Sequence, residues 1–226
     1  MPPETGFTAH AEHFPDAPSE RRAAQLGMWL FLANEVLLFG GLFCAFAVYR
    51  YLYTDTFRYL AAVHLDWKLG TLNTVVLLVS SFTVAVAVHH AEARKTKLAG
   101  WFLVASIALA EVFLAIKYLE YSHKVHEGLL PGRYFSFDLT HLEAVRGVDL
   151  ARVGPGAPMF FVLYFFITGL HALHVVIGIV VLGWIAVRAF KGEFARRNAT
   201  PVELAGMYWH LVDLIWIFVY PLLYLL

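Results

Sequence analysis

Five long apolar runs, divided by three short connections and one long one, set the plan of this chain. A helix needs about 20 mostly apolar residues to cross the hydrocarbon of a bilayer. Runs at about 26–51, 70–88, 98–121, 158–187 and 204–226 reach that length. The first ends in the aromatics Tyr49, Tyr51 and Tyr53, and the second is closed by His89-His90 and then Arg94, Lys95 and Lys97. The long connection, 122–156, carries Pro131-Gly132 and Gly154-Pro155-Gly156 as turn signals. The pattern predicts an all-α membrane protein, a bundle of five transmembrane helices over 26–226, preceded by a weakly ordered N-terminal tail over 1–25. No internal repeat and no low-complexity tract interrupts it.

Composition agrees with that plan. Hydrophobic residues make up 60% and charged residues 15% of the 226, against roughly 25% charged in soluble domains. The formal net charge is zero, which gives no argument for nucleic acid. A single cysteine, Cys44, excludes an internal disulfide framework and a cysteine-based zinc site. Residues 1–20 are rich in Pro, Glu and His and lack the apolar core of a signal peptide. With the N-terminus cytoplasmic, nine Lys and Arg fall in inner segments and seven in outer ones. The positive-inside rule therefore favours N-terminus in and C-terminus out.

The candidate chemistry lies in polar residues inside the apolar runs, where each ionisable group needs a partner. Glu35 sits in the first run beside Asn34. It reads either as a proton-active or partner-docking carboxyl or as a neutral acid bonded to a neighbouring helix. The third run holds Glu111, Lys117 and Glu120, and Lys117 and Glu120 can pair at a spacing of three. That pair reads as one near the membrane surface, with Lys117 snorkelling. His171 and His174 share a face of the fourth run. Their spacing could serve a metal, but two histidines on one helix cannot supply both axial ligands of one haem. The last run carries Tyr208-Trp209-His210, Asp213 and Trp216, with His210, Asp213 and Trp216 on one helix face. No glycine elbow, phosphate loop or Ser-His-Asp set stands out. Such a chain reads as a subunit with no redox or metal centre of its own.

These residues resemble subunit III of the haem-copper oxidases. Asn34-Glu35-Val36-Leu37-Leu38-Phe39 is similar to that family's Ser-Glu-Val-x-Phe-Phe, and Leu72-Asn73-Thr74 followed by His89-His90 to its Leu-Asn-Thr and His-His helix. Glu120-Tyr121, Thr168-Gly169 with His171 and His174, and Tyr208-Trp209-His210 with Asp213 and Trp216 continue the match in order. The resemblance implies a non-redox accessory subunit of a terminal oxidase in aerobic electron transport. It would lie in the bacterial cytoplasmic membrane beside subunits I and II, which hold the haems and copper. It implies roles in assembly, phospholipid binding and sustained proton-coupled turnover. Glu35 and Glu120 would be buried, proton-active or structural carboxyls, and His210 with Asp213 a helix-tying pair. His171, His174, Trp209 and Arg197 would be lipid or interhelix contacts. Seven-helix members carry two further helices at the start. Here subunit I helices or a small subunit would stand in for them. An accessory protein of a nitric oxide reductase system has the same profile. A proton-linked transporter using Glu35, Glu111 and Asp213 is the reading from another class.

Overall fold

The computed structural model describes residues 16–131, 156–196 and 199–225. Seven helices form among them, and no strand: α1 Ala17–Leu52, α2 Thr54–His64, α3 Trp67–Glu92, α4 Thr96–His126, α5 Ala157–Phe190, α6 Glu193–Arg196 and α7 Thr200–Tyr224. The five long ones, α1, α3, α4, α5 and α7, have the length and apolarity of membrane spans. Each corresponds to one of the five apolar runs.

The first four spans overrun their apolar runs, and at the starts of α1 and α3 a polar side-chain cap sets the boundary. α1 starts well before its run, where Asp16 accepts from the Ser19 amide at 2.9 Å and a proline occupies the first turn. Residues 17–25, read from sequence as tail, are therefore helical. α2 has no counterpart among the five runs. Its eleven residues are too few to span, and it buries only Thr56, Phe57, Leu60 and Ala61 on one side. An edge-to-face series, Phe46–Phe57–Phe160–Phe161, with ring centroids 5.2 Å apart at each step, pins it between α1 and α5. Asp66 caps α3 through the Lys68 amide at 2.8 Å. Just past the end of α5, Gly192 adopts φ +74° and returns its amide to the Ala189 carbonyl, a conformation glycine reaches without a Cβ penalty.

α7 is the most enclosed span, with Trp209, Trp216, Val219 and Leu223 all out of contact with the exterior. It packs on α3 and α5. Gly178 of α5 makes the closest approach: a Cβ there would lie 2.5 Å from Trp209 Cζ3. α1 lies at the edge of the bundle and buries only a narrow stripe that includes Leu32, Glu35, Phe39 and Phe46.

Candidate functional site

Three groups of polar side chains are built into the bundle. The first joins α1 to α5. Glu35 Oε2 lies 2.9 Å from His174 Nε2, and both residues are buried. His174 Nδ1 lies 2.8 Å from the Leu170 carbonyl one turn back. A carbonyl only accepts, so Nδ1 carries a proton. The Glu35–His174 contact then holds one proton, either on the acid beside a neutral imidazole or on an imidazolium beside a carboxylate. Tyr208 of α7 donates to the His174 carbonyl at 3.0 Å, and Phe39 meets the imidazole ring at 5.3 Å. The pair thus ties the peripheral helix to the core.

The second group is a charged cluster between α4, α5 and α7. Glu120 Oε1 accepts from Lys124 at 2.8 Å, from Tyr164 at 2.8 Å and from Tyr224 at 2.7 Å. Its Oε2 accepts from Lys117 at 2.8 Å, with the Tyr224 hydroxyl 2.9 Å away. A carboxylate offers about four acceptor sites, and here four donors surround one. Lys117 also reaches the hydroxyls of Tyr224 at 2.7 Å and Tyr164 at 3.2 Å, and sits 5.4 Å from the Trp216 ring centroid. Tyr121 and Thr168 bond beside it. The pairing of Lys117 with Glu120 is as its spacing allows, but Lys117 does not snorkel: it is 4% exposed. The tyrosine hydroxyls and Glu120 satisfy its ammonium where it stands. Glu120 and Lys124 also line an open cleft of about 540 Å³ walled by His64, Trp67, Leu119 and Glu127.

The third group lies along α7. His210 Nδ1 is 2.7 Å from Ser81 Oγ of α3, Trp209 donates to Ser80 Oγ at 3.1 Å, and Trp216 donates to Thr74 Oγ1 at 3.1 Å. Asp213 is 3% exposed, and neither of its carboxyl oxygens meets hydrogen-bond geometry with a described residue. The geometry does not bond His210 to Asp213; the Ser81 hydroxyl stands beside both. His171, fully enclosed between Phe113 and Trp216, has both ring nitrogens without a partner among the described residues, as does Asn73 Oδ1. Arg197 lies outside the described residues. No group of three His, Cys, Asp or Glu placed to hold a metal occurs among those described. His171 and His174 engage different surroundings despite sharing a helix face.

The apolar runs make Glu35 and His174 conspicuous, but do not show that they meet across 139 residues. Lys124, one of the seven basic residues of the outer segments, joins the cluster, and its spacing of four from Glu120 signals that pair. Tyr164, Tyr224 and Ser81 carried no sequence signal, because their partners lie on other helices.

The description "Cytochrome c oxidase subunit III" belongs to the family model that matches residues 10–129 and 156–226, which include all five spans. The chain belongs to the cytochrome c oxidase subunit III family. Quinol oxidase subunit 3 of Bacillus spizizenii is 30% identical over 96% of this chain and 97% of its own length. Its Bacillus subtilis counterpart is 29% identical over the same shares. A haem-copper oxidase subunit I+III of Aeropyrum pernix is 30% identical over 96% of this chain, which spans only 24% of that longer protein. In that relative, subunits I and III are one polypeptide by name. Subunit III is an accessory, non-catalytic member of the haem-copper oxidases, and this chain is a multi-pass membrane protein of that kind.

Proposed function

We propose that this chain supports assembly and sustained proton-coupled turnover of a terminal oxidase, with its N-terminus cytoplasmic, in a bacterial inner membrane. Subunits I and II are its partners, and the haems and copper that reduce oxygen reside in them. The observation that carries the reading is the family match across all five spans. The Glu35–His174 tie gives it a physical role: a proton-holding contact between a peripheral helix and the core. Loss of that contact frees α1, whose buried stripe is narrow, and exposes a polar pair to hydrocarbon. Helices of subunit I or of a small subunit complete the lipid-facing side beside α1. Phospholipid fills the apolar groove between α1, α5 and α7, lined by Met28, Phe31, Trp184, Leu204 and Tyr208 and about 350 Å³ in volume. The quinol oxidase names of several relatives support a quinol donor to the complex.

Purification of the tagged chain in mild detergent, with mass spectrometry and an optical spectrum, tests this. Haem-copper subunits I and II with haem bands and quinol-driven oxygen consumption are expected. Nitric oxide reductase subunits would replace the reading with the accessory role in that system, and a colourless chain alone would overturn it.

A further inference from the structure

Glu111 stands apart from the three polar groups of the bundle. It is the sixteenth of the 31 residues of α4, the midpoint of that span, and it is exposed on the outward face. It forms no hydrogen bond or ion pair with a described residue. Trp101, also exposed, lies ten residues toward the start of the helix, about 15 Å along its axis at 1.5 Å per residue. That is about half the thickness of a bilayer's hydrocarbon, and indoles gather at its edge. With Trp101 at one interface, Glu111 lies near the middle of the membrane, where an ionisable side chain facing lipid is costly and calls for a partner.

The fold supplies no such partner, and the face around Glu111 is shaped to admit one. Ala108 and Ala115 stand one turn to either side of it, both exposed. Side chains this small let a second backbone approach closely. Trp101, Ala105, Ala108, Val112, Ala115 and Leu119 follow one another at alternating spacings of four and three, and all are exposed. Such spacing is the seam of a left-handed helix pair crossing at about 20°.

Charge selects the occupant. Lipid tails offer a carboxyl no donor at that depth. A second copy of this chain, packed face to face in the same orientation, would bring Glu111 against Glu111, and Ala108, Val112 and Ala115 beside it offer neither a cation nor an amide. A helix with lysine, arginine or histidine at mid-depth meets the carboxyl with a donor of opposite charge. Position narrows the source. α4 packs on α3 and α5, whereas α1 packs on α5 and α7. The outward face of α4 therefore lies on another side of the bundle from α1, beside which helices of subunit I are placed.

We propose that the outward face of α4 docks one transmembrane helix of a polypeptide other than subunits I and II, and that this helix carries a basic side chain paired with Glu111 at mid-membrane. That the partner lies outside subunits I and II rests on the accessory-subunit reading; its basic side chain follows from Glu111 alone.

Ala108→Cys and Ala115→Cys, each in a Cys44→Ser background, place the only cysteine of the chain one turn to either side of Glu111. The oxidase in its native membrane is labelled with a photoactivatable maleimide and irradiated, and adducts of the tagged chain are identified by mass spectrometry. Both positions are expected to join one apolar segment of a further polypeptide, with a lysine, arginine or histidine within about a turn of the attachment point. The same probe at position 180 of α5, from Val180→Cys, gives no adduct with that segment. Adding Glu111→Leu is expected to lower the adduct yield about tenfold or more, as loss of one partner of a desolvated charge pair does. Glu111→Gln, which still accepts a hydrogen bond, lowers it about three- to tenfold. The melting temperature of the purified chain stays at the wild-type value in both, because Glu111 bonds to nothing within the fold. A labelled segment without a basic residue, adducts to subunit I or II, to a second copy or to lipid alone, or a yield that neither Glu111 variant changes would overturn the proposal while leaving the accessory role standing. Membranes in which the tagged chain copurifies with no haem-copper subunit would overturn the accessory role instead.

Discussion

The charged cluster around Glu120 and the layer around Asp213 are both polar inclusions in an apolar bundle, yet they are built differently. Glu120 meets four donors, and Lys117 meets three acceptors. About three helical turns from Tyr224 along α7, Asp213 leaves buried atoms unmatched by any described residue, as do His171 of α5 and Asn73 of α3. The first arrangement is closed: each charge is met by the others, so it fixes the relative positions of α4, α5 and α7. The second keeps buried polar atoms that no described residue meets, the setting in which proteins place ordered water. Stability therefore concentrates in the cluster, and the unspent polar capacity lies in the layer.

The largest break in this comparison comes from Glu120→Leu. It leaves Lys117 and Lys124 without the carboxylate that binds both, and removing one partner of a buried ion pair costs about 3–5 kcal/mol. A sharp loss of folded chain in detergent and a lower melting temperature are expected. Tyr224→Phe comes next. It deletes a hydroxyl that donates to Glu120 and accepts from Lys117, and about 1–3 kcal/mol is lost for the groups left unmet. Its thermal midpoint should fall between those of Glu120→Leu and the wild type. Replacing the whole cluster (Lys117→Met, Glu120→Leu, Lys124→Met) is expected to recover much of what Glu120→Leu loses, since an apolar set avoids the desolvation of three charges. A triple variant less stable than Glu120→Leu alone would show that the remaining tyrosines need the ions. The smallest effect belongs to Asp213→Leu. Only the Ser81 hydroxyl stands beside the carboxyl, so the midpoint should stay within about 1 kcal/mol of the wild type or rise. A loss as large as that of Tyr224→Phe would mean that Asp213 has a strong partner and that the layer is closed as well.

What the sequence could and could not convey follows from the same distinction. The five spans were legible because crossing a bilayer needs a length of apolar chain that nothing else in the protein imitates. α2 was not, since an eleven-residue helix with four enclosed positions falls below that length. The start of α1 depends on one Asp16 cap and lies in polar sequence. Within the site, Lys117 and Glu120 were readable as neighbours on one helix, but the burial of Lys117 depends on Tyr164 and Tyr224 from helices 47 and 107 residues away. Glu35 and His174 were each conspicuous as ionisable groups in apolar runs. Their contact was hidden because helical spacing speaks only of partners on the same helix. His210 was expected beside Asp213 for the same reason; the structure gives it to Ser81 across the α3–α7 contact.

The most direct test of the accessory role is the time course of oxygen consumption by the purified oxidase with and without this chain. The account predicts equal initial rates and a shorter active lifetime when the chain is removed, with Glu35→Gln shortening it in the intact complex. Loss of the initial rate itself on removal would place chemistry in this chain, and an unchanged lifetime would contradict its role in sustaining turnover.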